Sequence, residues 1–413
     1  MAGLSKTMLT AVKWVAKRIL LAWERLESGV SLDLTSSAFI ENPYRTYEQL
    51  RRKDPVHRMR LIEAWALTRY EDVQDVLVDH RRFTNAERNY DYMQYRTFLD
   101  LDPPDHTRLR GLVSKAFTPR AVRELGPRIQ ELVDELLDAV AGKDRIDLIS
   151  DFAFPLPVIV IAEMLGVPAE DRARFRVWSD DIAISVVPLL DSEQIARVQQ
   201  ATEELFAYFE GIIEQRRQAP QNDMISALLA AEEEGDRLTH EELLSTLMLL
   251  LVAGNETTRN LIGNGMLALL KSPVQLQRLR DHPDLLDSAI DELLRFDSPV
   301  QINSRNAIGD VEIGGKRIAA GQRILAMVGA ANRDPEVFAN PGELDIGRDE
   351  TSHLSFGRGI HYCLGSPLAI LEGRIAFTSL LARFSSIRLA SEPVFKDQIV
   401  LRGVEELWVE VEH

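Results

Sequence analysis

The 413-residue sequence is poor in cysteine, and Cys363 is the only one it has. A single cysteine excludes an intramolecular disulfide and any zinc or iron–sulfur site that needs several cysteines. Long hydrophobic runs are also missing. The longest, "LMLLLVA" from Leu247 to Ala253, is far shorter than the roughly 20 residues that cross a bilayer. What remains is a composition of 45% hydrophobic and 27% charged residues, which is typical of a globular protein.

The sequence also has no excess of positive charge: its formal net charge is -16. Such an acidic chain is a poor ligand for nucleic acid, whose phosphates attract a basic surface. One window, residues 106–123, departs from this average because it carries no acidic side chain. Its five cations are Arg108, Arg110, Lys115, Arg120 and Arg123. This basic window fits either a solvated helix face or a docking surface for an acidic partner.

The first 28 residues lack the cleavage pattern of a secretory signal, which together with the lone cysteine favours a cytoplasmic protein. Their apolar residues recur at helical spacing on one side, and several charged residues fall on the other. The apolar set is Met8, Val12, Val15, Ile19, Trp23 and Leu26, and the polar set is Lys6, Lys13, Lys17 and Glu24. We therefore expect an amphipathic helix over 1–28, followed by a single domain over 29–413. The helix is expected to lie on an anionic membrane surface, dock on another protein or pack against its own domain.

The rest of the pattern is mostly helical, and strand-like alternation occurs in three places, residues 56–70, 310–329 and 406–412. This predicts a mainly α fold with small peripheral β-sheets. One helix is unusually long. Thr239 and Glu242 form a capping box, and no proline follows before Pro273, so the pattern predicts about 34 residues of helix.

The cysteine lies in "SFGRGIHYCLG", residues 355–365, among Gly357, Gly359 and Gly365. These glycines allow positive φ angles and a close approach of the backbone to a flat group. Three interpretations are open: a small buried side chain, a nucleophile with His361 as its base, and a metal-bound thiolate. Residues two apart in an extended loop point in opposite directions, which disfavours the nucleophile. A metal without other cysteines or a histidine cluster must bring most of its own ligands, as haem iron does.

The order F-x-x-G-x-H-x-C-x-G, from Phe356 to Gly365, resembles the haem-binding loop of the cytochromes P-450 in the form found in soluble bacterial members. The resemblance implies the P-450 fold, with the long helix over haem b (iron protoporphyrin IX) and Cys363 as the axial thiolate. "AGNETT", residues 253–258, is similar to the acid–alcohol pair of the family. It makes Glu256 and Thr257 the expected catalytic residues for proton delivery. Gly254, one turn before Thr257, is expected to open a groove for dioxygen.

Further matches imply roles in folding and in cofactor binding. Glu292 and Arg295, one helical turn apart, resemble the buried structural pair of the family, which completes a network with a downstream loop. The haem propionates are expected to contact His106, Arg110, Arg305 and His361. Arg108, two residues before Arg110, should then face away from the haem.

The resemblance implies a haem-thiolate monooxygenase that inserts one oxygen atom from dioxygen into a hydrophobic small molecule by hydroxylation or epoxidation. The sequence has neither a dinucleotide fingerprint nor ferredoxin-type cysteines, so we expect electrons from a separate ferredoxin and its reductase, docked on the basic window. The alternatives are a peroxygenase driven by hydrogen peroxide and a non-catalytic haem-binding sensor. By family analogy, the substrate pocket is expected to be lined by Tyr92, Tyr95, Leu250, Ala253, Val300, Asn303 and Leu401.

Overall fold

The computed structural model describes residues 6–86, 95–186, 190–233 and 238–413. Helices dominate this part of the chain, as the sequence predicts. In chain order they are α1 (Lys6–Ser28), α2 (Ser37–Glu41), α3 (Tyr44–Lys53), α4 (Tyr70–Val78), α5 (Asp105–Ala116), α6 (Pro119–Glu124), α7 (Gly126–Ala139), α8 (Pro155–Met164), α9 (Arg172–Ala183), α10 (Ser192–Gln218), α11 (Met224–Glu233), α12 (His240–Leu270), α13 (Pro273–Asp281), α14 (Leu286–Phe296), α15 (Val328–Ala331) and α16 (Ser366–Arg383).

The strands are short and form small sheets. They are β1 (Val56–Met59), β2 (Ala64–Leu67), β3 (Phe83–Thr84), β4 (Arg145–Asp147), β5 (Asn303–Ala307), β6 (Val311–Ile313), β7 (Lys316–Ile318), β8 (Arg323–Ala326), β9 (Ser386–Leu389), β10 (Val394–Phe395), β11 (Val404–Glu406) and β12 (Trp408–Glu412). The largest sheet has the order β1-β2-β8-β5-β3, in which only β2 and β8 run parallel. The others are the sheet β4-β12-β9 and the hairpins β6-β7 and β10-β11. All three stretches of predicted alternation contain strands.

The long central helix, α12, is confirmed and spans 31 residues. Its capping box is formed in both directions: Glu242 N donates to Thr239 Oγ1 at 3.1 Å, and Thr239 N donates to Glu242 Oε2 at 2.7 Å. The helix ends at Leu270, slightly earlier than predicted, because Pro273 already begins the next helix. It packs against α8, α9, α14 and α16 in the main hydrophobic core, so its central residues lie deep inside the protein.

The first turn of α12 is also joined to α5. Arg108 on α5 forms an ion pair with Glu242, whose other oxygen accepts the capping bond from Thr239. Hydrogen bonds from Arg108 and Thr239 overcome the effect of burial and lower the pKa of Glu242. One carboxylate thus closes the start of α12 and holds the helix that carries His106 and Arg110.

The N-terminal segment forms helix α1, which packs against β1 of the largest sheet. Among the described residues, no helix is long and apolar enough to cross a membrane.

Candidate functional site

Cys363 lies in a tightly folded loop just before α16. Its backbone N–H donates to Phe356 O at 2.8 Å, which closes the loop that the sequence motif outlines. Gly357 and Gly359 take positive φ angles of 70° and 69°, as predicted. A Cβ on Gly359 would lie 2.8 Å from Leu77 O at the end of α4, so this glycine allows close packing against that helix.

The third glycine of the motif, Gly365, does not follow the prediction of a positive φ. Its φ is -81°, because it is the N-cap residue of α16. Its importance lies in its backbone N–H, which faces the cysteine. Burial raises the pKa of the Cys363 thiol, whereas hydrogen bonds from the backbone N–H groups of Gly365 and Ser366 and the charge of Arg110 act to lower it. The sulfur is thus placed among groups that stabilise a thiolate, in a setting where a bound cation would complete its charge balance.

Three of the four predicted propionate contacts lie close to this loop. The His106 and His361 rings are in contact, with centroids 4.4 Å apart. Arg110, one turn after His106 on α5, donates to Tyr362 O next to the cysteine. Burial and the charge of Arg110 lower the pKa of His106. The fourth residue, Arg305, lies on β5 and is buried.

These residues fit the haem that the motif implies. His106 is 2% exposed, yet neither of its ring nitrogens has a hydrogen-bond partner within the ranges that the structure describes. A buried imidazole without a partner is costly, whereas a carboxylate of a bound group would satisfy it. The thiol, the two histidines and Arg110 therefore form a donor set suited to an anionic, metal-containing cofactor.

The middle of α12 presents a less buried strip inside the protein. Residues on either side are buried, but Ala253 is exposed and Gly254 and Thr257 are partly exposed. Thr257 Oγ1 donates to Ala253 O at 2.7 Å, one turn earlier on the same face. The resemblance places this strip on the distal side of the haem.

Gly254 lies on this strip at the contact of α12 with α8. A Cβ built on it would lie 3.4 Å from the nearest side-chain atom of Ile161, which is an ordinary van der Waals distance, so the packing of the two helices does not require glycine here. A side chain at this position would point towards α8, and the role of Gly254 in a groove for dioxygen stays a prediction.

Glu256 faces away from this strip into a buried polar cluster. Its carboxylate accepts from Lys396 Nζ at 2.5 Å and from Asn260 Nδ2 at 3.2 Å, and Arg259 lies 3.8 Å away. Lys396 lies in the turn between β10 and β11, and its side chain is 13% exposed. Asp180 of α9 belongs to the same cluster, because the charges of Lys396 and Glu256 both act on its pKa. Burial raises the pKa of Asp180, Lys396 lowers it, and Glu256 raises it. Sequence reasoning missed Lys396 and Asp180, which are distant from Glu256 in the chain and belong to no motif.

The predicted substrate-pocket residues are only partly brought together. Val300 and Leu401 form an isolated antiparallel bridge. The ring of Tyr95 packs on Phe206, with centroids 4.6 Å apart. Leu250 lies one turn before Ala253 on α12 and is buried, and Asn303 begins β5. Tyr92 lies outside the described residues.

Glu292 and Arg295 form a buried ion pair with two bonds, Nε to Oε2 at 2.6 Å and Nη2 to Oε1 at 2.8 Å. A second arginine, Arg348, donates to Glu292 Oε2 at 3.0 Å. Arg295 also donates to the carbonyl oxygens of Asn332 and Pro341. The network joins α14 to the loops after α15, as expected of a structural pair. Arg348 was not predicted, because it belongs to none of the motifs.

A buried acid that the sequence analysis missed lies on α16, nine residues after the cysteine. Glu372 is 2% exposed, and burial raises its pKa to about 8. Its Oε2 atom lacks a hydrogen-bond partner in the described part of the chain. The carboxyl group is therefore protonated in the folded protein at neutral pH.

This acid should make stability depend on pH. Its pKa is raised on folding, so the folded state keeps a proton that the unfolded chain releases above its pKa of 4.5, and stability falls as the pH rises from about 4.5 towards 8. We expect Glu372→Gln to remove a pH-dependent loss on the order of 4 kcal/mol by pH 8. Unfolding free energies of both proteins at pH 5 and pH 8 check this. The exposed Glu410→Gln serves as the control and should change the two values equally. A parallel pH dependence of wild type and Glu372→Gln would contradict the assignment.

Comparison with known proteins agrees with this geometry. A sequence model of the family "Cytochrome P450" matches residues 34–402. CYP107DY1 of Priestia megaterium is 46% identical over 366 residues, which cover 83% of this chain and 88% of that protein. The vitamin D(3) 25-hydroxylase of Pseudonocardia autotrophica is 43% identical and covers 91% of this chain and 95% of its own. The crystal structure of P450BioI with an acyl carrier protein ligated to hexadec-9Z-enoic acid superposes with a TM-score of 0.87 at 42% identity, over 91% of this chain and 100% of that chain.

The chain belongs to the cytochrome P450 family and has its fold. It is therefore an oxidoreductase of the monooxygenase class, with haem b as its cofactor and a cysteine thiolate as the iron ligand. Since Cys363 is the only cysteine, it is that ligand.

Proposed function

We propose that this protein inserts one oxygen atom from dioxygen into a C–H bond or a double bond of a hydrophobic small molecule. The observation that carries the proposal is the arrangement on α12. The Thr257 hydroxyl lies on the less buried strip beside Ala253, and the next residue back, Glu256, reaches Lys396 on the other side of the helix. Two adjacent residues of α12 thus place a hydroxyl on one side of the helix and, on the other side, a carboxylate in a charged cluster near the surface.

The bound haem supplies the activation of dioxygen, and the protein supplies position and protons. Cys363 holds the iron, and His106, Arg110, Arg305 and His361 are proposed to hold the propionates. The unpartnered nitrogens of His106 support this part of the proposal. Binding of the propionates there would fix the plane of the macrocycle relative to α12.

The hydrogen bond of Thr257 defines what its hydroxyl can do. The hydroxyl hydrogen is used in the bond to Ala253 O, so the oxygen is left to accept a hydrogen bond from a water or a protonated ligand. Thr257 therefore acts as an acceptor that fixes a proton donor in position.

Glu256 is proposed to pass protons towards that position. Its carboxylate is 1% exposed and is held by Lys396, whose side chain lies nearer to solvent. A turn of the Glu256 side chain away from Lys396 would carry a proton from the outer cluster to the Thr257 side of the helix. Lys396 thus acts as a positioning residue that sets how often Glu256 is free to move.

The electrons are proposed to come from a separate ferredoxin and its reductase, docked near the basic window of residues 106–123. The charge of that window is smaller than the sequence count. Arg108 is paired with Glu242 and Arg120 with Glu124, and Arg110 is directed at the cysteine loop. Docking is therefore proposed to depend most on Arg123, which is exposed.

The substrate is proposed to be a largely apolar molecule that reaches the strip of α12 past Leu250, the Val300–Leu401 bridge and Tyr95. Asn303 and the tyrosine hydroxyl offer polar contacts that would orient it. Relatives named for a polyketide pathway and for vitamin D(3) hydroxylation support an apolar substrate without specifying which one.

Coupling of oxygen consumption to product tests the role of Thr257. We expect Thr257→Ala to keep consuming NADPH and oxygen with its redox partners, while the product formed per NADPH falls on the order of tenfold or more and hydrogen peroxide appears instead. Thr257→Ser, which keeps the hydroxyl, should restore most of the coupling. Unchanged coupling in Thr257→Ala would overturn the assignment. If the wild type turned over as fast with hydrogen peroxide alone as with its redox partners, the result would favour the peroxygenase.

A further inference from the structure

Helix α1 is attached to the protein through a polar side, which is unusual for an amphipathic helix. Glu24 is 1% exposed, and its carboxylate accepts the backbone N–H of Leu32 at 3.1 Å and that of Arg60 at 2.7 Å. His57 Nε2 lies 3.4 Å from the same group. The helix is therefore anchored by hydrogen bonds to a buried carboxylate.

Other charged groups extend this anchor. His57 Nδ1 lies 2.8 Å from Asp54, which also pairs with Lys316. Burial lowers the pKa of His57, but its hydrogen bonds to Asp54 and Glu24 outweigh burial and raise it. Further along α1, Lys17 pairs with Asp33 at 2.8 Å. Between Lys17 and Glu24, the inward side of α1 is thus held by ionic and polar contacts.

The apolar residues of α1 point the other way. At 100° per residue, Val15, Ile19, Trp23 and Leu26 lie about 180°, 140°, 100° and 160° from Glu24, so Trp23 is at the edge of the side that faces away from Glu24. Their exposed fractions are 48%, 60%, 49% and 87%. Trp14, at the edge of this side, is 57% exposed. We call these five residues the outer face. A helix that packed for apolar burial would have turned this face inward.

The charge around the outer face is positive. Arg18 and Arg25 lie about 120° and 100° from Glu24 around the helix and so belong to its outer side, although the whole chain has a net charge of -16. Two cations lie directly on the tryptophans: the Arg18 guanidinium is 4.6 Å from the Trp14 ring centroid, and that of Arg60 is 3.9 Å from the Trp23 ring centroid. Tryptophan with arginine beside it is suited to the boundary between water and lipid.

We propose that α1 lies flat on an anionic lipid bilayer, with its outer face among the acyl chains near the headgroups and with Arg18 and Arg25 at the phosphates. The apolar residues supply the burial and the cations supply the preference for anionic lipid. A second copy of the chain fits this face less well, because it would bring one basic segment against another. The helix precedes residue 34, where the match to the family begins, so this surface lies outside the catalytic machinery.

Vesicle binding of the haem-loaded, full-length protein tests the proposal. The probes are vesicles of phosphatidylcholine alone and of phosphatidylcholine and phosphatidylglycerol in equal parts, followed by sedimentation. We expect the wild type to sediment with the anionic vesicles and to be released by added salt. The double variant Ile19→Glu/Trp23→Glu should bind them more than about tenfold more weakly. The control is Val274→Glu, the same kind of change at an apolar residue of α13 that is 78% exposed, and it should bind like the wild type.

The haem absorption spectrum of the double variant should match that of the wild type, which separates lost membrane binding from lost folding. Wild-type protein that stays in the supernatant with both kinds of vesicle would overturn the proposal. It would also be overturned if Ile19→Glu/Trp23→Glu bound as well as the wild type. A wild-type dimer that the double substitution disperses, without vesicle binding, would assign the outer face to a second copy instead.

Discussion

Arg295→Met is expected to lower the free energy of unfolding by about 3–5 kcal/mol, because it removes one of the two charged partners of a buried carboxylate. The Glu292 carboxylate is 2% exposed and accepts two bonds from Arg295. Arg348 would remain as a partner, but it reaches only Oε2 at 3.0 Å. The carbonyl oxygens of Asn332 and Pro341 would lose their donor as well. The loop after α15 would then be held to α14 by fewer bonds, among them those from Arg333 to Phe296 O.

Denaturant unfolding of the haem-loaded protein measures this loss. The matched control is Arg374→Met, the same substitution in the ion pair of Arg374 with Asp287, where the nitrogen and oxygen are 2.6 Å apart but the side chains are 45% and 67% exposed. The control should lose less than about 1 kcal/mol. Similar losses in the two variants would mean that the buried network contributes no more than a surface pair. Arg295→Lys should fall between wild type and Arg295→Met, because lysine keeps the charge but not the paired bonds.

Glu256→Gln is expected to slow product formation on the order of a hundredfold, because the amide cannot carry a proton towards Thr257. The change keeps the size of the side chain and its contact with Asn260. Lys396, which is 13% exposed, can turn to solvent when its partner loses charge. The fold should therefore persist, and the loss should appear in the catalytic rate constant more than in the substrate affinity.

Steady-state turnover with redox partners, in water and in deuterium oxide, measures this effect. A larger solvent isotope effect in Glu256→Gln than in the wild type would place the residue in proton delivery. Glu405→Gln is the control, since Glu405 contacts Arg259 of the same cluster from the surface, with its side chain 52% exposed. Wild-type turnover in Glu256→Gln would remove this residue from the mechanism. Lys396→Met, which frees the Glu256 carboxylate, should change the pH profile of turnover while leaving product formation possible.

Several features of the fold and site follow from local sequence patterns. The capping box and the absence of proline predicted α12 to within a few residues, because both act within a turn or along the helix itself. The motif around Cys363 predicted the cofactor through its resemblance to the haem-binding loop of the family, and the positive φ angles of Gly357 and Gly359 agree with it. The short strands β3, β4 and β5 were not predicted, because two to five residues carry little periodicity.

Side-chain direction was harder to predict than element type. The register of α1 separates an apolar side from a polar side, yet it does not say which side meets the body, and the buried Glu24 decided that. The sequence likewise placed Gly254 near Thr257, although its Cα faces α8. Lys396 contacts Glu256, and Arg348 contacts Glu292, from distant parts of the chain. A single sequence holds no signal for such contacts.

The ion pair between Arg108 and Glu242 has a consequence for how the protein tolerates change. The same carboxylate closes the capping box of α12, so the helix that carries Thr257 and the helix that carries His106 share one fastening point. Helices α12 and α5 are thereby held together at the first turn of α12. A substitution at residue 242 would disturb both helices at once, and with them both the proposed proton path and the proposed propionate contacts.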